Sequence, residues 1–238
     1  MDTALDAQSP AVGPAGSPIP FDLYREVHKG LRLALFDLIT DLGATDCRDD
    51  AGREAAAAHV QRVIALLHAH HHHEDTFIQP LIETHAPRLA AMIEAGHMET
   101  EADLVEIEVR TDALVSATGD DAVLAGHELY QFLALFVARY LAHMALEQGA
   151  VMEELRAAVG VEALFQVEIA LRGSISPPLM CDFIAVMAPS MNVDEVTGML
   201  GGMKAGAPPE IFEIFRAATE AALDAARYAA VAGRIGVA

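Results

Sequence analysis

Imidazole and carboxylate groups crowd one stretch of the chain, His70-His71-His72-His73-Glu74-Asp75, inside a segment whose apolar residues recur at helical spacing. Neutral imidazole is a ligand for iron, zinc, copper and nickel, and an adjacent carboxylate shifts the preference toward a harder metal such as iron. A His-rich tract also binds metals loosely from a solvated surface, so the phase of each histidine against the apolar residues decides its role. At about 100° per residue, positions three, four and seven apart share a helix face. His70 shares its face with Val63, Leu66, Leu67 and Phe77, continuing to Ile78 and Leu81, and Glu74 is the second polar residue there. His72 falls among Ala65, His68, Asp75 and Gln79, a solvent-type face, while His71 and His73 are intermediate. The spacing predicts that His70 and Glu74 point inward one turn apart, that the other three imidazoles are surface dressing, and that His73 is the one credible substitute for His70. Two polar groups on a buried apolar stripe need hydrogen bonds or a metal.

The same device recurs. His143 and Glu147 are four apart on a stripe with Leu129, Phe132, Phe136, Tyr140, Leu146 and Val151, and His97 and Glu101 are four apart with Ile93, Leu104 and Val105. His28 is flanked at helical spacing by Phe21, Tyr24, Leu31, Leu35 and Phe36. Four helical segments, each presenting an inward His, are what a metal site inside a four-helix bundle requires, since facing helices supply the ligands to a dry core. Geometry removes the remaining histidines: His127 lies about 24 Å along the helix from His143, and His59 about 16 Å from His70. His68, His72 and His85 fall on solvated faces or loop ends. Tyr24 and Tyr140, each about one turn before a histidine, are candidates to hydrogen-bond a ligand or a bound small molecule from outside the ligand set.

The order His28, then His70-x-x-x-Glu74 six residues before Pro80, then His97, then His143-x-x-x-Glu147 resembles the hemerythrin-like (HHE, cation-binding) domains over about residues 20–157, with Asp75 where the family motif has a second acid. The resemblance implies a left-handed up-down-up-down bundle around a non-haem di-iron centre, with His28, His70, His97 and His143 as terminal ligands and Glu74 and Glu147 bridging. Animal hemerythrins carry a further His four residues after the third; this chain has Glu101 there, as in bacterial and regulatory members with mixed coordination. Glu101 therefore joins the expected ligands. A more anionic site of this kind speaks against reversible O2 carriage and suits ferric iron, or manganese or zinc.

The expected function is a cytoplasmic di-iron protein that binds or senses O2, NO or peroxide, or handles iron. Two further readings share the ligand set: a redox enzyme that turns over peroxide or NO with help from Tyr24 or Tyr140, and a structural zinc- or manganese-binding helical module. A formal charge of −20 argues against nucleic acid and anionic membrane partners, which want a basic face. No apolar run of 18 or more uncharged residues is present, and the two cysteines, Cys47 and Cys181, lie far apart, which favours a reducing compartment. No phosphate-binding glycine loop, Gly-x-Ser-x-Gly elbow or paired-cysteine zinc motif occurs.

The elements that must position these groups are all helical, because no long window alternates apolar and polar residues. Residues 1–19, rich in Ala, Pro, Gly and Ser, read as a disordered leader, and residues 20–159 as the bundle. Its helices run from about Asp22 to Leu42, Gly52 to Thr84 with a break near Pro80, Arg88 to Ser116, and Asp121 to Val159 with a break near Gly149 and a stop at Gly160. Residues 160–238 read as a helical extension: a short helix to Leu171, then Pro178–Met191, Val193–Lys204, and a last helix from Pro208-Pro209 to about Val231. The methionines of the extension are read as adaptable packing rather than a copper site. So apolar an extension is expected to pack on the bundle or to form a homodimer contact.

Overall fold

A computed structural model describes residues 19–237, so the expected leader lies, except for Ile19, outside the described residues. Every regular element among the described residues is a helix: α1 (Arg25–Ala44), α2 (Asp50–Phe77), α3 (Gln79–His85), α4 (Pro87–Ser116), α5 (Gly119–Leu146), a π-helical turn (Glu147–Val151), α6 (Met152–Ser174), α7 (Pro177–Ser190), α8 (Val193–Gly206), α9 (Pro209–Ala222) and α10 (Ala225–Ile235). The all-α expectation is met, and the boundaries follow local chemistry. Asp49 caps α2 by accepting from the Gly52 N–H at 3.0 Å. Pro80 has no N–H for the Thr76 carbonyl, so the expected long second helix ends at Phe77 and restarts as α3. Asn192 and Glu195 form a reciprocal capping box at the start of α8.

Helix α6 runs on to Ser174, but at Gly160 the backbone takes φ 77° and ψ 166°, a conformation glycine tolerates, so one helix stops there and a second follows across the kink, as the sequence pattern expects. One boundary differs from that pattern. The last expected helix is split at Leu223, and the Asp224 side chain caps a new one by accepting from the Arg227 N–H at 2.9 Å. By length and composition the continuous stretch Gly119–Ser174 could cross a membrane, with a mean hydropathy of 1.3 over its most apolar window. It is, however, widened at Glu147 and kinked at Gly160.

Helix α1 packs against α2 and α5, and α4 packs against the same two, which encloses a common interior. The extension docks on this group: α7 lies on α1 and α9 on α7, while α10 lies on α8. A Cβ added at Gly30 of α1 would come within 3.0 Å of the Met187 backbone nitrogen, so the absence of a side chain there lets the two helices touch.

The apolar interior is divided into two clusters. One holds Leu31, Leu35, Leu67, Leu104, Ile107, Leu133 and Tyr140, and continues into α7–α10 through Phe183, Ile184 and Leu200. The other holds Phe21, Tyr24, Ile78, Ile93, Val151 and Leu155. On each of the four enclosing helices a histidine falls at the seam between them. His28 follows Tyr24 and precedes Leu31, His70 and Glu74 lie between Leu67 and Ile78, His97 lies between Ile93 and Leu104, and His143 and Glu147 lie between Tyr140 and Val151.

Candidate metal centre

At this seam the donor groups converge in two sets. In the first, here the mixed cluster, donor atoms of His28, His70, Glu74 and Glu147 all lie within 4.8 Å of one another; in the second, the imidazole cluster, the same holds for His71, His97 and His143. The two carboxylates connect the sets. Glu74 places Oε1 3.0 Å from His70 Nε2 and 3.8 Å from His28 Nε2, and its Oε2 3.5 Å from His97 Nε2. Glu147 places Oε2 3.4 Å from His28 Nε2, and Oε1 3.1 Å from His143 Nε2 and 3.7 Å from His97 Nε2. Each carboxylate thus turns one oxygen to each cluster.

All of these groups are buried except the partly buried His143, and His28 and Glu147 have no exposed surface. Yet both oxygens of Glu74, both oxygens of Glu147, and the Nε2 atoms of His97 and His143 lack any hydrogen-bond partner. A buried polar atom without a well-aligned partner costs about 1–3 kcal/mol, and two buried carboxylates facing imidazoles in this way need positive charge between them. Cations must offset this, either protons on imidazole or metal ions. The donor set fits metal: imidazole and carboxylate, converging, dry, and drawn from four segments.

The charges respond accordingly. Burial would push the His97 imidazole down, but Glu147 and Glu74 beside it overcome burial and raise its pKa to about 10. His70 is likewise raised, burial being outweighed mainly by Glu74. Burial works against ionised Glu74, but the surrounding His70, His28 and His97 hold its carboxyl well below the usual range. Glu147 is also lowered, against both its burial and the charge of Glu74, by His143, His97 and His28. His71 goes the other way, to about 4, through burial and the positive charge of His70. At neutral pH it is a neutral imidazole, the form that binds metal.

The structure brings together six of the seven expected ligands: His28, His70, Glu74, His97, His143 and Glu147. Glu101 stands apart. Its half-exposed carboxylate accepts from His71 Nδ1 at 3.4 Å and His68 Nδ1 at 3.2 Å, because α4 turns position 101 toward the surface of α2 rather than into the interior. His71, expected as surface dressing, is buried and joins the imidazole cluster instead. Only His72 of the four consecutive histidines is exposed. Because α2 is covered by both α1 and α4, its buried arc is wide enough to take in positions 70, 71, 73 and 74, about 160° of the helix. A signal was present: Ile64, Leu67 and Ile78 lie at helical spacing from His71, and all three are buried. His73, the expected substitute, instead bonds its own helix at the Ala69 carbonyl and stacks on Phe77.

Partners outside the clusters orient these rings. Asp75, on the exposed side of α2 as the spacing predicts, accepts from His97 Nδ1 at 2.9 Å, which turns the Nε2 atom inward. The Tyr140 hydroxyl lies 3.1 Å from His71 Nε2, and with Nδ1–H directed to Glu101 it donates to that nitrogen. Tyr24 lies against His28 with ring centroids 5.1 Å apart. Gly96 is a further requirement, since a Cβ there would sit 2.6 Å from His143 Nδ1. Glu147 opens the π-helical turn, the kind of local widening that recurs at functional sites.

Two openings reach the clusters. A cavity of about 80 Å³, walled mainly by apolar side chains including Val27, Ile78, Phe183, Met187 and Met199, leads to His70 and Glu74. The methionines of the extension are thus packing and lining groups. On the opposite side, Asp75, Glu83, Glu94 and Glu101 line an acidic mouth that reaches His97. Comparison of the chain with protein-family models, with curated proteins and with solved structures finds no match. What is defined is an all-helical protein with buried His/Glu groups able to hold metal.

Proposed function

We propose that the chain is a non-haem, dinuclear metal protein of hemerythrin-like type that binds or senses a small oxidising or diatomic ligand, O2, NO or peroxide. The observation that carries this reading is the pair of buried carboxylates, each with one oxygen toward each histidine cluster and none hydrogen-bonded. The finer fold belongs to the same proposal: α1, α2, α4 and α5 as an up-down-up-down four-helix bundle. Its support is that the two apolar clusters are met in alternating order along these helices, Tyr24 before Leu31 but Leu67 before Ile78, then Ile93 before Leu104.

In this reading His28 and His70 would hold one ion and His71, His97 and His143 the other, with Glu74 and Glu147 each offering one oxygen to either set. Iron, when bound, supplies a redox-active Lewis acid at which a small ligand can exchange. The protein's own groups do the rest. Asp75 and Glu101 fix the rings of His97 and His71 from their Nδ1 sides, as outer partners of metal-binding histidines do. The Tyr140 hydroxyl, 3.1 Å from His71 Nε2, would give up that nitrogen to a bound ion. The apolar walls of the cavity keep bulk water from the His70 side while admitting a small neutral molecule.

Elemental analysis after anaerobic loading with ferrous iron tests the proposal. About two iron ions per chain, with charge-transfer absorption in the near-ultraviolet that changes on adding NO or peroxide, is the expected result. Iron well below one per chain, unaltered by His70→Ala or His143→Ala, would sink it. The three-histidine cluster is also a zinc-type donor set, so tight zinc with no response to oxidant is the outcome that would favour a structural metal module.

A further inference from the structure

Helix α4 is as regular on its outer side as on its inner one. Inward it buries Ile93, His97, Thr100, Leu104, Ile107 and Thr111. Around the opposite side of the helix lie Ala91, Ala95, Met98, Ala102, Val105 and Val109, all exposed. The outer face of a surface helix is normally polar. Here no polar side chain interrupts it over about 27 Å, and its large members Met98, Val105 and Val109 are 70, 57 and 57% exposed.

The spacing is alternately four and three. That is the seam of a coiled coil, with Ala91, Met98 and Val105 at d and Ala95, Ala102 and Val109 at a. The flanks are acidic on both sides, with Glu94, Glu101 and Glu108 at g and Glu99 and Glu106 at e, of which Glu106 pairs with Arg110 at 2.8 Å and Glu101 also faces His68 and His71. This charge pattern decides which occupant fits. A second copy in parallel register would set Glu94 against Glu99 and Glu101 against Glu106; an antiparallel copy would set g against g and e against e. Either way like charges meet, and an anionic membrane surface is repelled for the same reason.

We propose that the outer face of α4 is a docking surface for a partner helix that carries apolar residues at heptad spacing and Lys or Arg on both flanks. Alanine at half of the seam positions lets that helix approach closely, so the partner's own large side chains fill the interface. The proposal does not rest on the metal reading, although Glu94, Met98 and Glu101 also line the mouth that reaches His97.

The test titrates the full chain with a synthetic three-heptad helical peptide bearing Leu at a and d and Lys at e and g, followed by fluorescence anisotropy. A peptide with Glu in place of Lys is the control. The Lys peptide is expected to bind at least about tenfold more tightly than the Glu peptide, and to lose at least about tenfold in affinity in Val105→Asp and in Met98→Asp. Circular dichroism of both variants is expected to match the parent, since both side chains point into solvent. These variants add negative charge, so indiscriminate attraction between a cationic peptide and a chain of charge −20 would grow. Binding unchanged or tightened in Val105→Asp therefore overturns the proposal. So does self-association of the parent chain that Val105→Asp abolishes, because a second copy would then cover the face. Attachment to anionic vesicles that the same variant loses would overturn it equally.

Discussion

The mixed cluster around His28 and His70 lies beside an apolar cavity whose outer wall comes from α6–α8, whereas the imidazole cluster of His71, His97 and His143 lies beside an acidic mouth formed by α2, α3 and α4. The first has two carboxylates among its own members; the second borrows one oxygen from each. Carboxylate-rich sets favour harder ions, and imidazole sets are more permissive. One buried core therefore offers two unlike positions, with a charged approach on one side and an apolar approach on the other. The shared carboxylates make them interdependent, while the histidines make them separable.

Breaking the shared part should have the largest effect. Glu147→Ala removes an oxygen from both positions and is expected to weaken metal binding at each by more than about 100-fold, beyond the 10–100-fold that outer partners alone contribute. Elemental analysis after loading should find neither ion retained; retention of one would show that the carboxylate serves a single cluster. Next come the separable parts. His28→Ala is expected to cost the ion of the mixed cluster, and His143→Ala the ion of the imidazole cluster, each leaving about one per chain. Identical losses in the two variants would mean that the clusters do not bind independently.

His97 is raised to about 10 while His71 is lowered to about 4, so uptake at the imidazole cluster near neutral pH displaces a proton from His97 and not from His71. Apparent affinity there should rise by up to about tenfold per pH unit from pH 7 toward 10; a flat profile over that span contradicts it. The metal-free protein should show the complementary dependence. His97, raised above its ordinary 6.5, contributes stability that is full below that value and is lost as pH rises through about 10. Glu74 and Glu147, lowered from 4.5, contribute stability present above that value and lost as pH falls through their folded-state values. Thermal melts of the apo-protein should therefore decline on both sides of a neutral plateau, and metal loading should remove the alkaline decline.

The smallest effect is expected from Gly96→Ala, whose added Cβ has its three nearest neighbours all in the His143 ring. It should lower affinity at the imidazole cluster by about tenfold, seen by competitive titration with a colorimetric chelator, and leave the other ion in place. Equal weakening of both would point to a general disturbance of α4 packing.

Much of this centre was legible in the chain because a single helix carries the information. The three-and-four spacing of His70 with Leu67 and Phe77, or of His143 with Phe136 and Tyr140, requires only that the helix have one buried face. The breaks at Pro80 and near Gly149 and the all-helical class were legible for the same local reason. What failed needed two helices at once. His71 is buried because α4 covers a second side of α2, and Glu101, four residues after His97, swings outside because α2 lies where its carboxylate ends. Asp75 and Gly96 matter only through His97 and His143 on other helices. The main apolar stripe of each helix and the helix ends are properties of local sequence, set by hydrophobic periodicity and by which residues can donate or turn. Donor convergence depends on the distance and rotation between helices, and those are settled only when the whole interior packs.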